Sequence, residues 1–158
     1  KLLSEDLSKD QKIEELKLIA KDTVDIKGIG FYTLGPKRKT LNDDQKSKYS
    51  ELFEQYFLKS FSSRLAEYSN PEINVYNKEK LNENYTIVNS TLKATDERPE
   101  IKIDWRIYTK IADKPLIRDL IIEGLSLART QKEEFNSVLQ SNEGDINALF
   151  KTLEEFVK

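Results

Sequence analysis

The sequence contains no cysteine, no histidine and no methionine. Without cysteine there is no disulfide and no thiol nucleophile. Without histidine the usual catalytic base is gone, and with both missing most zinc sites are excluded. A cysteine-free chain suits any redox compartment. Methionine is missing even from position 1, a pattern left by removal of a signal peptide or by any other trimming of the chain. Long apolar runs are lacking too. Stretches such as Leu120-Ile121-Ile122 are only a few residues long, so no segment is expected to span a bilayer. Nor is there a basic excess: 26 Lys and Arg against 28 Asp and Glu leave a net charge of −2, which argues against nucleic acid as a partner. Lysine far outnumbers arginine, so bidentate phosphate recognition is not a visible theme.

What is present fits one domain over residues 1–158. Hydrophobic residues make up 37% and charged residues 34% of the chain, which leaves modest material for a solid core. The first region, to about Tyr68, reads as helical. Ser8 and Gln11 form a capping-box pattern, and Ile13, Leu16, Ile19, Ala20 and Val24 recur at helical spacing. A short helix over Ile26 to Leu34 is expected to stop at Gly35-Pro36, leaving Lys37-Arg38-Lys39 as a solvated basic loop. Asn42 is a good N-cap, with Asp43 and Asp44 in the turn where the helix dipole favours negative charge. The helix after it carries Tyr49, Leu52, Phe53, Tyr56, Phe57, Phe61, Leu65 and Tyr68 in one broad stripe, ended by Asn70-Pro71.

From Glu72 to Ile122 the period changes to two. Strands are expected over Ile73 to Lys80, around Tyr85 to Ala94, from Ile101 to Tyr108 and from Leu116 to Ile122. Val88, Ser90, Leu92 and Ala94 share one face, with Tyr85 and Ile87 on the other. Ile101, Ile103, Trp105 and Ile107 alternate with Lys102, Asp104, Arg106 and Tyr108. Turn residues at Asp96-Glu97-Arg98-Pro99 and Ala112-Asp113-Lys114 make the neighbours antiparallel. The end is helical again, through Leu127, Gln131, Phe135, Val138 and Leu139. After Gly144 a last helix runs through Ile146, Leu149, Phe150, Leu153, Phe156 and Val157. The order predicts an α+β fold: helices, a four-stranded antiparallel sheet, then helices.

The passage from Leu116 to Leu127 resembles a signature of MlaC-type proteins, also called toluene-tolerance auxiliary components. There a strand ending in Asp-Val-x-Val-Glu-Gly-x-Ser runs into a helix with Arg-x-x-Phe. Asp119, Glu123, Gly124, Ser126 and Phe135 stand at the matching positions, and Lys132 replaces the usual arginine. Leu34-Gly35, Asp44-Gln45 after the Asn42 cap, and Gly144-Asp145-Ile146 with Leu149 and Leu153 resemble further family elements. The resemblance covers roughly Asp25 to Phe156.

That resemblance implies a periplasmic phospholipid carrier of Gram-negative bacteria, maintaining outer-membrane lipid asymmetry. It implies partners in an inner-membrane ABC transporter with an MCE-domain subunit and in an outer-membrane lipoprotein complex. It further implies a curved sheet and helices enclosing an apolar lipid cavity, toward the upper end of the ~300–1,000 Å³ typical of small-ligand pockets or beyond. The helical side would contribute Phe31, Leu34, Leu52, Tyr56 and Phe57. The sheet side would contribute Val88, Leu92, Ile103, Trp105, Leu120 and Ile122, with Phe135 and Leu139 closing the space. No cofactor, no metal and a monomeric state are expected.

Catalytic readings find little support in the residues. Ser126 has no histidine base, so it reads as an N-cap, with Gly124 relieving the strand-to-helix turn and Asp119 and Glu123 bonding locally. Gly28-Ile29-Gly30 lacks the third glycine and preceding strand of a nucleotide fingerprint, and the acidic residues lack calcium-loop spacing. Asn84-Tyr85-Thr86 and Asn89-Ser90-Thr91 read as chance matches to a glycosylation pattern. Two alternatives to a carrier stay open at this point. One is an enzyme with a buried carboxylate base, Asp104 or Asp119, and the other is an interaction module with a filled core.

Overall fold

The structure is a computed structural model and describes residues 6–67 and 71–158. Helix α1 (Lys9–Thr23) begins at the capping box expected of Ser8 and Gln11, each side chain bonded to the other's backbone N–H. Leu16 and Ala20 form its buried row against the third helix. Ile19, placed in that row by its spacing, is instead 47% exposed, because the contact is narrower than the apolar pattern.

Helix α2 (Ile26–Leu34) starts at Asp25, whose Oδ1 accepts from the Gly28 N–H at 3.1 Å. Beyond it the chain does not enter a loop. Lys37-Arg38-Lys39 lie in a 3₁₀ turn over Gly35–Thr40. Pro36 suits the first turn of a helix and Gly35 takes a φ of 56° that favours glycine, so the same pair that ends α2 starts the next turn. Helix α3 (Asp43–Ala66) is capped by Asn42 and Gln45. It packs on α1, α2 and the last helix together. Burial therefore reaches Leu58 and Ser62, outside the aromatic stripe. Tyr68 and Asn70, expected at its end, lie outside the described residues.

Strands β1 (Ile73–Lys80), β2 (Tyr85–Leu92), β3 (Ile101–Tyr108) and β4 (Leu116–Ile122) run as an antiparallel meander. A fifth strand, β5 (Leu125–Ser126), extends it to five in the order β1-β2-β3-β4-β5. The four-stranded expectation is thus one short, since two residues carry no alternation to read. The β4–β5 turn is made by Glu123 and Gly124 at φ 51° and 81°, the pair of positive values that a two-residue hairpin requires. Helices α4 (Leu127–Ser141) and α5 (Ile146–Val157) complete an α+β fold.

Pairing register decides which strand residues share a face. Val88 stands opposite Trp105, which stands opposite Leu120, and Ser90, Ile103 and Ile122 form the next row. On the other face Arg106 lies over the Tyr85 ring at 4.4 Å and Arg118 over Tyr108 at 4.9 Å. Arg118 also ion-pairs with Asp25, the cap of α2. Asp25 N–H donates to the Ile117 carbonyl at 2.9 Å, and Val24 bridges Ile117. These bonds bind the start of α2 to β4.

Most of the core lies among the helices. Tyr49, Leu149 and Leu153 are fully enclosed there. On the strands only Thr86, Ser90 and Leu92 are buried, and β1 is exposed along its whole length. The inner sheet face is therefore only partly used to complete the core.

Tyr49 is the polar member of that core. Its hydroxyl and the Thr33 hydroxyl are 2.7 Å apart, and Thr33 Oγ1 donates to the Gly30 carbonyl at 2.6 Å. Burial pushes the phenol well above its ordinary value, opposed in part by the Thr33 bond. A pKa raised on folding gives stability that is complete below the unfolded value of about 10 and lost as pH rises beyond it. Chemical unfolding between pH 9 and 11 is expected to show this loss, approaching about 1.4 kcal/mol per pH unit above pH 10. Tyr49→Phe should flatten that slope relative to wild type.

Candidate functional site

Between the inner sheet face and the helices lies a cleft of about 330 Å³. Its sheet wall is Leu92 of β2, Ile103 and Trp105 of β3, and Ile117, Leu120 and Ile122 of β4, with Ile73 at the edge. Opposite stand Phe53, Tyr56, Phe57, Phe61 and Leu65 of α3, and Leu127 and Ala128 of α4. Val24 and Ile29 meet it from the α1–α2 side. The volume is at the lower end of the range for small-ligand pockets, below the expectation, because the α3 rings project toward the sheet.

The polar groups inside this wall are engaged by their neighbours. Trp105 Nε1 donates to Ser90 Oγ at 2.9 Å, and Ser90 Oγ donates to the Ile103 carbonyl at 2.7 Å. The indole edge is thereby satisfied and its ring remains available as apolar surface. Asp119 lines the cleft at a bulge, where three residues of β3, Trp105 to Ile107, face four of β4, Ile117 to Leu120. Its carboxylate accepts from Ser126 Oγ and, at 3.0 Å, from the Ala128 N–H. Ser126 caps α4 by accepting from the Arg129 N–H at 3.1 Å. The motif acids thus hold the strand-to-helix turn, with Glu123 accepting from the Lys102 N–H.

The structure brings seven of the expected lining residues together: Tyr56, Phe57, Leu92, Ile103, Trp105, Leu120 and Ile122. Phe31, Leu34, Leu52, Phe135 and Leu139 belong to the helical core or pack against it. Val88 shares the face of Trp105 by register but lies outside the lining. Sequence reasoning missed Phe53, Phe61 and Leu65 as lining, though all three belong to the aromatic stripe it identified. It also missed Ile117, which a strict alternation with Leu120 would turn away; the bulge brings it round.

Toward the outside the lining becomes polar, with Ser60, Arg64, Thr130, Gln131 and Glu134. Tyr56 hydroxyl donates to Gln131 Oε1 at 2.8 Å, and Gln131 Nε2 donates to Glu134 Oε2 at 3.0 Å. Burial raises the Tyr56 pKa, with the Glu134 charge adding to the rise and Gln131 and Arg64 opposing it.

Asp104, one of the two carboxylates considered as a base, does not reach the cleft. It alternates with Ile103 and Trp105, and its Oδ1 accepts from Asn89 Nδ2 at 2.8 Å on the other face. Among the described residues no group of three or more acidic side chains gathers to hold a metal, and no helix is long and apolar enough to cross a membrane.

Lys132 packs against the end of α2, at Tyr32 and Gly35. Its Nζ stands 5.0 Å from the Tyr32 ring centre, and its Cε would lie 3.2 Å from a Cβ added at Gly35. The Leu34-Gly35 and Lys132 to Phe135 segments, far apart in sequence, therefore meet.

Among curated proteins no sequence match is found. Among solved structures, the fold is similar to that of a phospholipid-binding protein from Ralstonia solanacearum in complex with a phospholipid. The TM-score is 0.76 at 18% identity, over 94% of this chain and 84% of that one. A likeness at this identity establishes the shared fold. The model of the MlaC protein family matches residues 2–155, nearly the entire sequence. The chain belongs to the MlaC protein family.

Proposed function

We propose that this protein is a periplasmic phospholipid carrier, which binds its ligand by the acyl chains and is not an enzyme. The observation that carries the reading is the cleft itself: an apolar wall from three strands facing an aromatic wall from α3. The phospholipid bound by the Ralstonia relative of the same fold supports the choice of ligand.

A diacyl lipid exposes on the order of 30 methylenes, each worth about 0.8 kcal/mol when removed from water. Leaving a bilayer for water therefore costs roughly 20 kcal/mol, and a carrier must supply equivalent apolar surroundings. Phe57 and Phe61, half-buried and stacked with ring centres 5.4 Å apart, give the α3 wall a broad apolar surface for the tails to pack against. In the cell the carrier takes lipid between an outer-membrane lipoprotein complex and an inner-membrane ABC transporter with an MCE-domain subunit.

Native mass spectrometry of the purified protein, with lipid extraction and identification, tests this directly. A co-purified phospholipid at one or a few molecules per chain is the expected result. A lipid-free protein that also fails to take up phospholipid from vesicles would overturn the carrier reading.

A further inference from the structure

The outer part of the cleft holds two opposite charges that do not neutralise each other. Arg64, exposed on the last turn of α3, and Glu134, exposed on α4, both line it. Glu134 ends a hydrogen-bonded chain that begins at the Tyr56 hydroxyl and passes through Gln131, so its carboxylate is held at the wall. Among the described residues Arg64 has neither a hydrogen bond nor an ion pair. Both charges act on the same phenol, Tyr56, from their separate helices, one raising its proton affinity and one lowering it. Asp119, the other acid in the lining, is occupied by Ser126 and the Ala128 N–H.

We infer that this pair selects a zwitterionic headgroup: Arg64 takes the phosphodiester oxygens and Glu134 the ammonium of an ethanolamine-type lipid. The inference rests on the phospholipid reading above and adds a preference among phospholipids. Arginine matches phosphate oxygens with a planar fork of donors, and a carboxylate accepts the hydrogens of an ammonium. An anionic glycerol headgroup presents the same phosphodiester to Arg64 but offers Glu134 neutral hydroxyls in place of a cation.

The test offers the protein vesicles of phosphatidylethanolamine and phosphatidylglycerol in equal amounts with identical tails, at low salt. The protein is then separated, and its lipid is extracted and quantified. Wild type is expected to enrich the ethanolamine lipid about threefold to fivefold, the scale of a solvent-exposed charge contact. Glu134→Gln should remove the enrichment, Glu134→Lys should reverse it toward the glycerol lipid, and Arg64→Gln should lower the uptake of both. Extracted lipid in the donor ratio, or an enrichment that survives Glu134→Lys, overturns this inference while leaving the carrier reading intact. Absence of any bound lipid overturns both.

Discussion

Ile103→Glu is expected to lower phospholipid uptake from vesicles by about 100-fold or more. Ile103 sits in the middle of the sheet wall, paired with Ser90 on one side and Ile122 on the other. With the cleft open, a carboxylate there can remain hydrated, because Ile103 is only partly buried. The fold should therefore survive with a small change in melting temperature. Once acyl chains fill the space, the same carboxylate loses its water and gains no partner. Burying an unpaired charge costs several kcal/mol even after relaxation, and each 1.4 kcal/mol is tenfold in affinity. Lys102→Glu, one residue away on the exposed opposite face, is the matched control and should load like wild type. Equal loading by the Ile103 variant would mean that the tails bind elsewhere.

The choice of Ile103 also shows how far the sequence could be read. Its alternation with Lys102 and Asp104 was enough to place it on the apolar face, and the register then brought it opposite Ile122. Strands β1, β3 and β4 and helix α2 run over the expected residues for the same reason: each has a clear period and a breaker at its end. Helix α3 was recognised by its aromatic stripe, but the stripe could not say which rings face helices and which face the sheet. Phe53 illustrates this, because it does both. It meets Tyr49 at 5.8 Å and Phe135 at 6.2 Å between ring centres, yet lines the cleft. Gly30 permits that position: a Cβ there would come within 2.7 Å of the Phe53 ring.

Phe31, Leu34, Leu52, Phe135 and Leu139, apolar and on suitable faces, are expected in the cavity that the family resemblance implies. The helices pack closely enough on one another to take all five into their own core or its margin. Periodicity reports that a face is buried, not what buries it. The bulge in β4 and the two residues of β5 left no pattern at all, since both are departures from alternation. The signature around Asp119 drew attention to that turn through likeness to a family. Only the hydrogen bonds reveal what its side chains do.

Asp119→Ala is the second large effect expected, a loss of about 2–4 kcal/mol in unfolding free energy. The carboxylate joins β4 to the beginning of α4 by accepting from Ser126 Oγ and the Ala128 N–H. Hydrogen bonds to charged groups contribute about 1.5–3 kcal/mol each, and partial exposure of Asp119 sets the sum toward the lower part of that range. Removal leaves the Ala128 N–H in the first turn without its acceptor and lets the Ser126 hydroxyl turn from the cap. Ser126→Ala, which removes one cap alone, should cost about 1 kcal/mol. Denaturant unfolding of the two variants provides the comparison. Asp119→Asn separates this role from catalysis. A general base needs the carboxylate's proton affinity, so an enzyme would keep its stability in the asparagine variant and lose its activity. For the turn described here the amide is a poorer, uncharged acceptor, and the expected result is a measurable loss of stability, with α4 less firmly seated. Leu127, Ala128, Thr130 and Gln131, all in the opening turns of that helix, would then hold the cleft wall less well. Lipid retention should fall in step with stability across the three variants, since one turn fixes both the helix and the wall it carries.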